Sequence, residues 1–149
     1  MLHLYVLNLQ LHLLINANVY VEDDHICEIS KRLPDNEKII DAKGRYVSPG
    51  FIESHSHGRN GSDFMYPSFE DLNTITSSFI KSGVTGILAT TMTMSKEDIY
   101  TAVKNIAENK DKVSGSKILG IHLEGPFFNH KYKGAQPEEY MLAPTPLNQ

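Results

Sequence analysis

Residues 47–64, VSPGFIESHSHGRNGSDF, constrain this chain more than any other stretch, because an apolar run passes straight into His-Ser-His and then into a loop punctuated by glycines. Pro49 and Gly50 open a strand, Phe51 and Ile52 supply its buried body, and Gly58 and Gly61 turn the chain away at its end. In extended backbone the side chains alternate faces, so His55 and His57 point the same way with Cα atoms about 6.6 Å apart. One cation can then bind both rings, since a His nitrogen sits about 2.0–2.1 Å from zinc. Spacing alone describes two solvated histidines equally well. Position favours a site, because catalytic groups of parallel α/β folds collect at the C-terminal ends of strands.

Beyond Phe51 the hydrophobic period changes and begins to alternate. Ser68 and Asp71 form an N-cap pair, and Leu72, Ile75 and Phe79 follow at i, i+3 and i+7, one face of a helix ending near Gly83. Val84 to Thr91 is a β-branched run that reads as a buried strand. Ser95 and Asp98 repeat the cap, with Ile99, Val103, Ile106 and Ala107 as the apolar stripe of a second helix. A third strand, Lys117 to Leu123, leads into Glu124-Gly-Pro126, and residues 127–149 read as loop. Strand and helix alternating at this spacing mean parallel βα units.

The segment before this one is β-rich with short connections. Residues 2–7, 11–15, 19–21, 25–29, 39–40 and 45–47 are expected strands, with turns at 22–24 and 41–44. Some 45 residues make a small core, so this piece is expected to lean on another. Cys27, the only cysteine, excludes an internal disulfide, suits a reducing cytoplasm, and is expected to be a small core residue. The run 2–15 is too short and too polar to span a bilayer, and it lacks the basic opening and cleavage site of a secretory signal. A formal net charge of −4 with no basic block argues against nucleic acid and anionic membrane and for a small-molecule substrate.

Glu124 ends the third strand as His55 and His57 end the first, so one edge gathers all three. A carboxylate and two imidazoles suit zinc or another divalent ion, which would lower the pKa of a water and polarise a carbonyl. His122 shares the Glu124 face and reads either as a core histidine or as part of the site. His3, His12, His25 and His130 have no partner visible in the sequence and are expected on the surface or in packing.

These residues carry a resemblance. PGFIESHSHGRNGSDF resembles the first metal motif of the amidohydrolase superfamily, and GIHLEGPFFNHKYKGAQP resembles a signature of N-acetylglucosamine-6-phosphate deacetylases; GVTGILATTMT between them fits the same family. The resemblance implies that His55, His57 and Glu124 are ligands of a divalent metal ion, zinc above all, in a site for one or two ions. It implies that Gly134, Ala135 and Gln136 lie by the sugar, with Gln136 standing where many relatives have His. The implied reaction removes the acetyl group of N-acetylglucosamine 6-phosphate to give glucosamine 6-phosphate and acetate. The family's remaining metal-binding histidines, its catalytic aspartate and its phosphate contacts are expected beyond Gln149, and the full-length protein is expected to be a cytoplasmic homodimer.

A (β/α)8 barrel takes about 250 residues, so the expected fold is α/β and incomplete. It comprises part of a small β-sandwich over residues 1–47, then the first three strands and two helices of a TIM barrel over residues 48–149. Two other readings stand beside this one: an amidohydrolase acting on a cyclic amide, and a remnant that keeps the motifs without the activity.

Overall fold

The computed structural model describes residues 5–8, 13–32 and 38–144, and the chain divides into two compact units, Met1–Pro49 and Gly50–Gln149. The first unit holds β1 (Tyr5–Asn8), β2 (Leu13–Asn16), β3 (Asn18–Glu22), β4 (His25–Ser30) and β5 (Tyr46–Val47). β1 lies between β2, to which it is antiparallel, and β5, to which it is parallel. β3 and β4 form a separate antiparallel hairpin that turns at Asp23, whose φ is +54°. Ala17 centres a small cluster with Ile15, Val19, Ala42 and Val47.

Two expectations fail in this unit. Ile39 and Ile40 form no strand and are exposed, because among the described residues neither backbone finds a partner strand. Cys27 is exposed rather than packed inside, since among the described strands β4 pairs with β3 alone and most of its residues face solvent. Parts of the expected strands at 2–7 and 11–15, together with His3 and His12, lie outside the described residues.

The second unit is a three-stranded parallel sheet with two helices. Its elements are β6 (Phe51–Ser56), β7 (Gly58–Arg59), β8 (Ser62–Asp63), α1 (Phe69–Ile80), β9 (Val84–Thr90), α2 (Lys96–Asn109) and β10 (Lys117–His122). Both helices begin for a local reason. The Ser68 hydroxyl accepts the Asp71 amide and Ser95 accepts that of Asp98, each at 3.1 Å, which satisfies one of the donors every helix start leaves open.

β9 is central, parallel to β6 on one side and to β10 on the other. The register sets Ser56 and Ile121 beside Ala89, so the three strands finish level. Phe64, Leu72, Ile75, Phe79, Ile87, Ala89, Ile106 and Ile118 form the core between sheet and helices, each large apolar side chain contributing about 1.5–3 kcal/mol on full burial. The loop before β10 is clamped onto α1. Ser116 donates its amide to the Thr76 carbonyl and its hydroxyl to that of Val84.

Burial within these elements departs from expectation twice. Phe51 and Ile52 are 69% and 67% exposed, because neither side chain joins the cluster between sheet and helices that Ile87 and Ile118 enter. On α2 the fully buried positions are Ala102 and Ile106, while Ala107 is exposed. The inward stripe therefore runs 99, 102, 103, 106, the i, i+3, i+4, i+7 pattern of one helix face.

Candidate metal centre

The chain leaves β6 at Ser56, bends at His57, and folds at once into the β7–β8 hairpin. Asn60 and Gly61 take φ of +60° and +83° at its tip, the left-handed pair that makes a tight hairpin turn. The Phe64 amide closes the hairpin onto the His57 carbonyl at 2.7 Å. Arg59 ties it to α1, donating to the Ser82 hydroxyl at 2.7 Å and lying over the Phe79 ring. The Glu53 carboxylate accepts the His55 amide at 3.1 Å. Both histidines are therefore held through their backbones.

Glu124 lies two residues beyond the end of β10. The next turn requires glycine, because Gly125 has φ of +80° and a Cβ there would stand 2.0 Å from the Thr93 Oγ1. The chain then makes a loop whose ends are joined by the Leu142 amide donating to the Pro126 carbonyl at 3.0 Å. Inside it lie two 3-10 turns, His130–Tyr132 and Glu138–Tyr140, and Gln136 between them.

Three side chains meet at the level strand ends. His55 Nε2 and His57 Nε2 lie 2.9 and 3.0 Å from the same oxygen, Glu124 Oε2. The three candidate ligand atoms fall within 4.8 Å of one another. Two ligands about 2.05 Å from a tetrahedral ion are roughly 3.3 Å apart, so the cluster has the right scale for one divalent cation. The donor set fits as well, two imidazole nitrogens and one carboxylate. Exposure grades inward, from 51% for the His55 side chain through 35% for His57 to 19% for Glu124.

The surroundings orient the set. Gln136 Nε2 donates to the other carboxylate oxygen, Glu124 Oε1, at 3.0 Å. The His55 ring meets the His57 and His122 rings edge to face, with centroids 5.4 and 4.7 Å away. His122 Nδ1 lies 3.4 Å from the Thr90 hydroxyl, which also accepts the Ser56 amide. His57 Nδ1 is buried with no hydrogen-bond partner among the described residues.

Of the expected site residues, His55, His57, Glu124 and Gln136 come together, and His122 packs against them. Gly134 and Ala135 are exposed in the loop that carries Gln136. His25 and His130 are on the surface but not alone. His25 pairs with Asp24, and His130 Nδ1 lies 3.0 Å from Glu138. The hydrogen bond from His130, helped by Lys133, holds the Glu138 carboxyl below its ordinary range. The roles of Glu53, Thr90 and the Gln136–Glu124 contact are not read from the motifs. Glu53 alone had a local signal, since it stands two residues before His55 on one strand face.

A sequence model described as the amidohydrolase family matches residues 46–147. The chain is 44% identical over 95 residues to the N-acetylglucosamine-6-phosphate deacetylase of Vibrio furnissii, covering 63% of this chain and 24% of the relative. It is 38% identical over 133 residues to the deacetylase of the same name from Bacillus subtilis (strain 168), covering 85% and 34%. The crystal structure of N-acetylglucosamine-6-phosphate deacetylase from Pasteurella multocida superposes with a TM-score of 0.87 at 28% identity, over 97% of this chain and 38% of that one. The chain thus spans about a quarter to a third of the length of the curated relatives it matches.

Proposed function

Because the chain belongs to the amidohydrolase family, we propose that it carries part of the metal centre of a hydrolase that removes the acetyl group of N-acetylglucosamine 6-phosphate, giving glucosamine 6-phosphate and acetate. The observation that carries this is the convergence of two imidazoles on one carboxylate oxygen, in a chain similar to enzymes named for that reaction. His55, His57 and Glu124 would hold a divalent ion, zinc above all, with one or two ions in the completed site. Such an ion supplies Lewis acidity, lowering the pKa of water and polarising an amide carbonyl.

The chain's own groups set the stage for this. The Glu124 anion faces the rings, the Glu53 carboxylate fixes the backbone of His55, and the β7–β8 hairpin holds His57. Gly134, Ala135 and Gln136 are proposed to border the sugar, where Gln136 Oε1, buried without a partner among the described residues, is the acceptor left for a hydroxyl or an amide. No general acid–base is assigned within residues 1–149. Among the described carboxylates near the site, Glu124 is in the cluster, Glu53 bonds the His55 amide, and Asp63 accepts the Met65 amide. That group is proposed to be an aspartate outside this sequence.

The α/β unit fits the first three strands and two helices of a (β/α)8 barrel, residues 48–149, preceded by part of a small β-sandwich, residues 1–47. Support comes from three consecutive parallel strands lying in sequence order with their ends level. No helix among the described residues is long and apolar enough to cross a membrane. A cytoplasmic homodimer acting on a small amino-sugar phosphate, with no nucleic-acid partner, completes the reading.

The test is a chimera in which residues 46–147 replace the matching segment of the Bacillus subtilis relative. Zinc-loaded, it should release acetate from N-acetylglucosamine 6-phosphate, and H55A and E124A versions should not. A folded chimera without acetate release, or one unaffected by these substitutions, refutes the proposal.

A further inference from the structure

Glu124 presents two oxygens, and they face different partners. Oε2 receives the two imidazoles; Oε1 receives the side-chain amide of Gln136 at 3.0 Å. The direction of that amide is dictated by chemistry, since an ionised carboxylate only accepts and a Gln carbonyl turned toward it would set acceptor against acceptor. Gln136 is itself held in place. Its backbone amide donates to the Lys133 carbonyl at 3.2 Å, and its own carbonyl accepts the Lys133 Nζ at 3.0 Å. Gly134 turns the chain between them with φ of +61°, inside a loop closed at Pro126 and Leu142.

We infer that Gln136 is a positioning residue for the metal centre, which by occupying Oε1 makes Glu124 a one-oxygen ligand aimed from Oε2 at the ion shared with His55 and His57. This rests on the metal reading proposed above and adds to it a role for the loop, beyond bordering the sugar. Three consequences follow. Chelation through both oxygens would compete with the Gln136 bond for Oε1. The Gln136 side-chain amide supplies a donor to Glu124 Oε1 in a site where the Glu124 side chain is 19% exposed. The loop and the strand-end ligands are linked, so that a displaced loop frees Oε1.

Outer partners of metal ligands are worth about 10–100-fold in metal affinity. The experiment compares the 149-residue chain with its Q136M and Q136A variants, the first keeping length and bulk without a donor. Zinc affinity is measured by competition with a chromophoric chelator, Co(II) binding by its visible absorption, and the metal-free melting temperature by circular dichroism. Affinity in both variants should fall about 10–100-fold, with the metal-free melting temperature unchanged. The Co(II) bands should weaken, as the freed oxygen raises the coordination number. Wild-type affinity with an unchanged Co(II) spectrum in both variants overturns the inference and leaves the metal reading standing. A change confined to the melting temperature overturns it too. Absence of zinc and Co(II) binding by the unsubstituted chain would sink the metal reading and this inference with it.

Discussion

Replacing Glu124 by glutamine keeps the shape of the side chain and removes its charge, and neither orientation of the new amide restores an anionic ligand. With Nε2 toward Gln136, the 3.0 Å contact survives only if the Gln136 amide flips to present its Oε1 as acceptor, and a neutral carbonyl is left facing the cluster. With Nε2 toward His55 and His57, the ligand oxygen points away from the cluster and a donor faces the metal position. The first orientation loses the anion, and the second loses both the anion and the ligand oxygen, in a partly buried site. Loss of an outer partner costs about 10–100-fold in metal affinity, and loss of the ligand itself should exceed the upper end of that range. Zinc binding by E124Q should therefore weaken by about 100-fold or more, or ~2.8 kcal/mol. Competition against a chromophoric chelator measures this directly, with far-UV circular dichroism to verify that the fold is kept. An E124Q chain that binds zinc within about threefold of wild type would show that Glu124 is a structural carboxylate and that the convergence of the three side chains is packing.

Two further predictions test the frame that holds the site. Ile75, fully buried in the core of the second unit, should cost about 2–5 kcal/mol on truncation to alanine, read from urea unfolding; a cost below about 1 kcal/mol would mean that this core is not the one that stabilises the sheet. Gly125→Ala should lower both the melting temperature and zinc affinity, because its φ of +80° disfavours a Cβ and the Thr93 Oγ1 stands 2.0 Å from where that atom would sit. Adding T93A removes that oxygen and should recover part of the loss; strict additivity of the two substitutions would refute the contact.

The two helix starts were legible in the sequence because their causes are local. Ser68 with Asp71 and Ser95 with Asp98 act through backbone groups three residues away. The strand-end positions of His55, His57 and Glu124 were also legible, since parallel strands of one sheet finish at one edge and a strand alternates its faces. Other features depend on which surfaces meet. Phe51 and Ile52 are as apolar as Ile87, yet they are exposed because the helices cover Ile87 and not them. Ala102 rather than Ala107 faces inward because the rotation of α2 is set by the sheet it covers. Cys27 is small and apolar, but its hairpin leaves it in solvent.

The same distinction runs through the site. Residue types at strand ends indicated which side chains could ligate an ion. The tertiary fold alone brought the Glu124 carboxylate to His55 across 69 residues of sequence and gave its second oxygen to Gln136 across 12. Periodicity and caps report interactions within a few residues of backbone. The direction in which a carboxylate points is decided by partners that loop closure delivers from elsewhere in the chain.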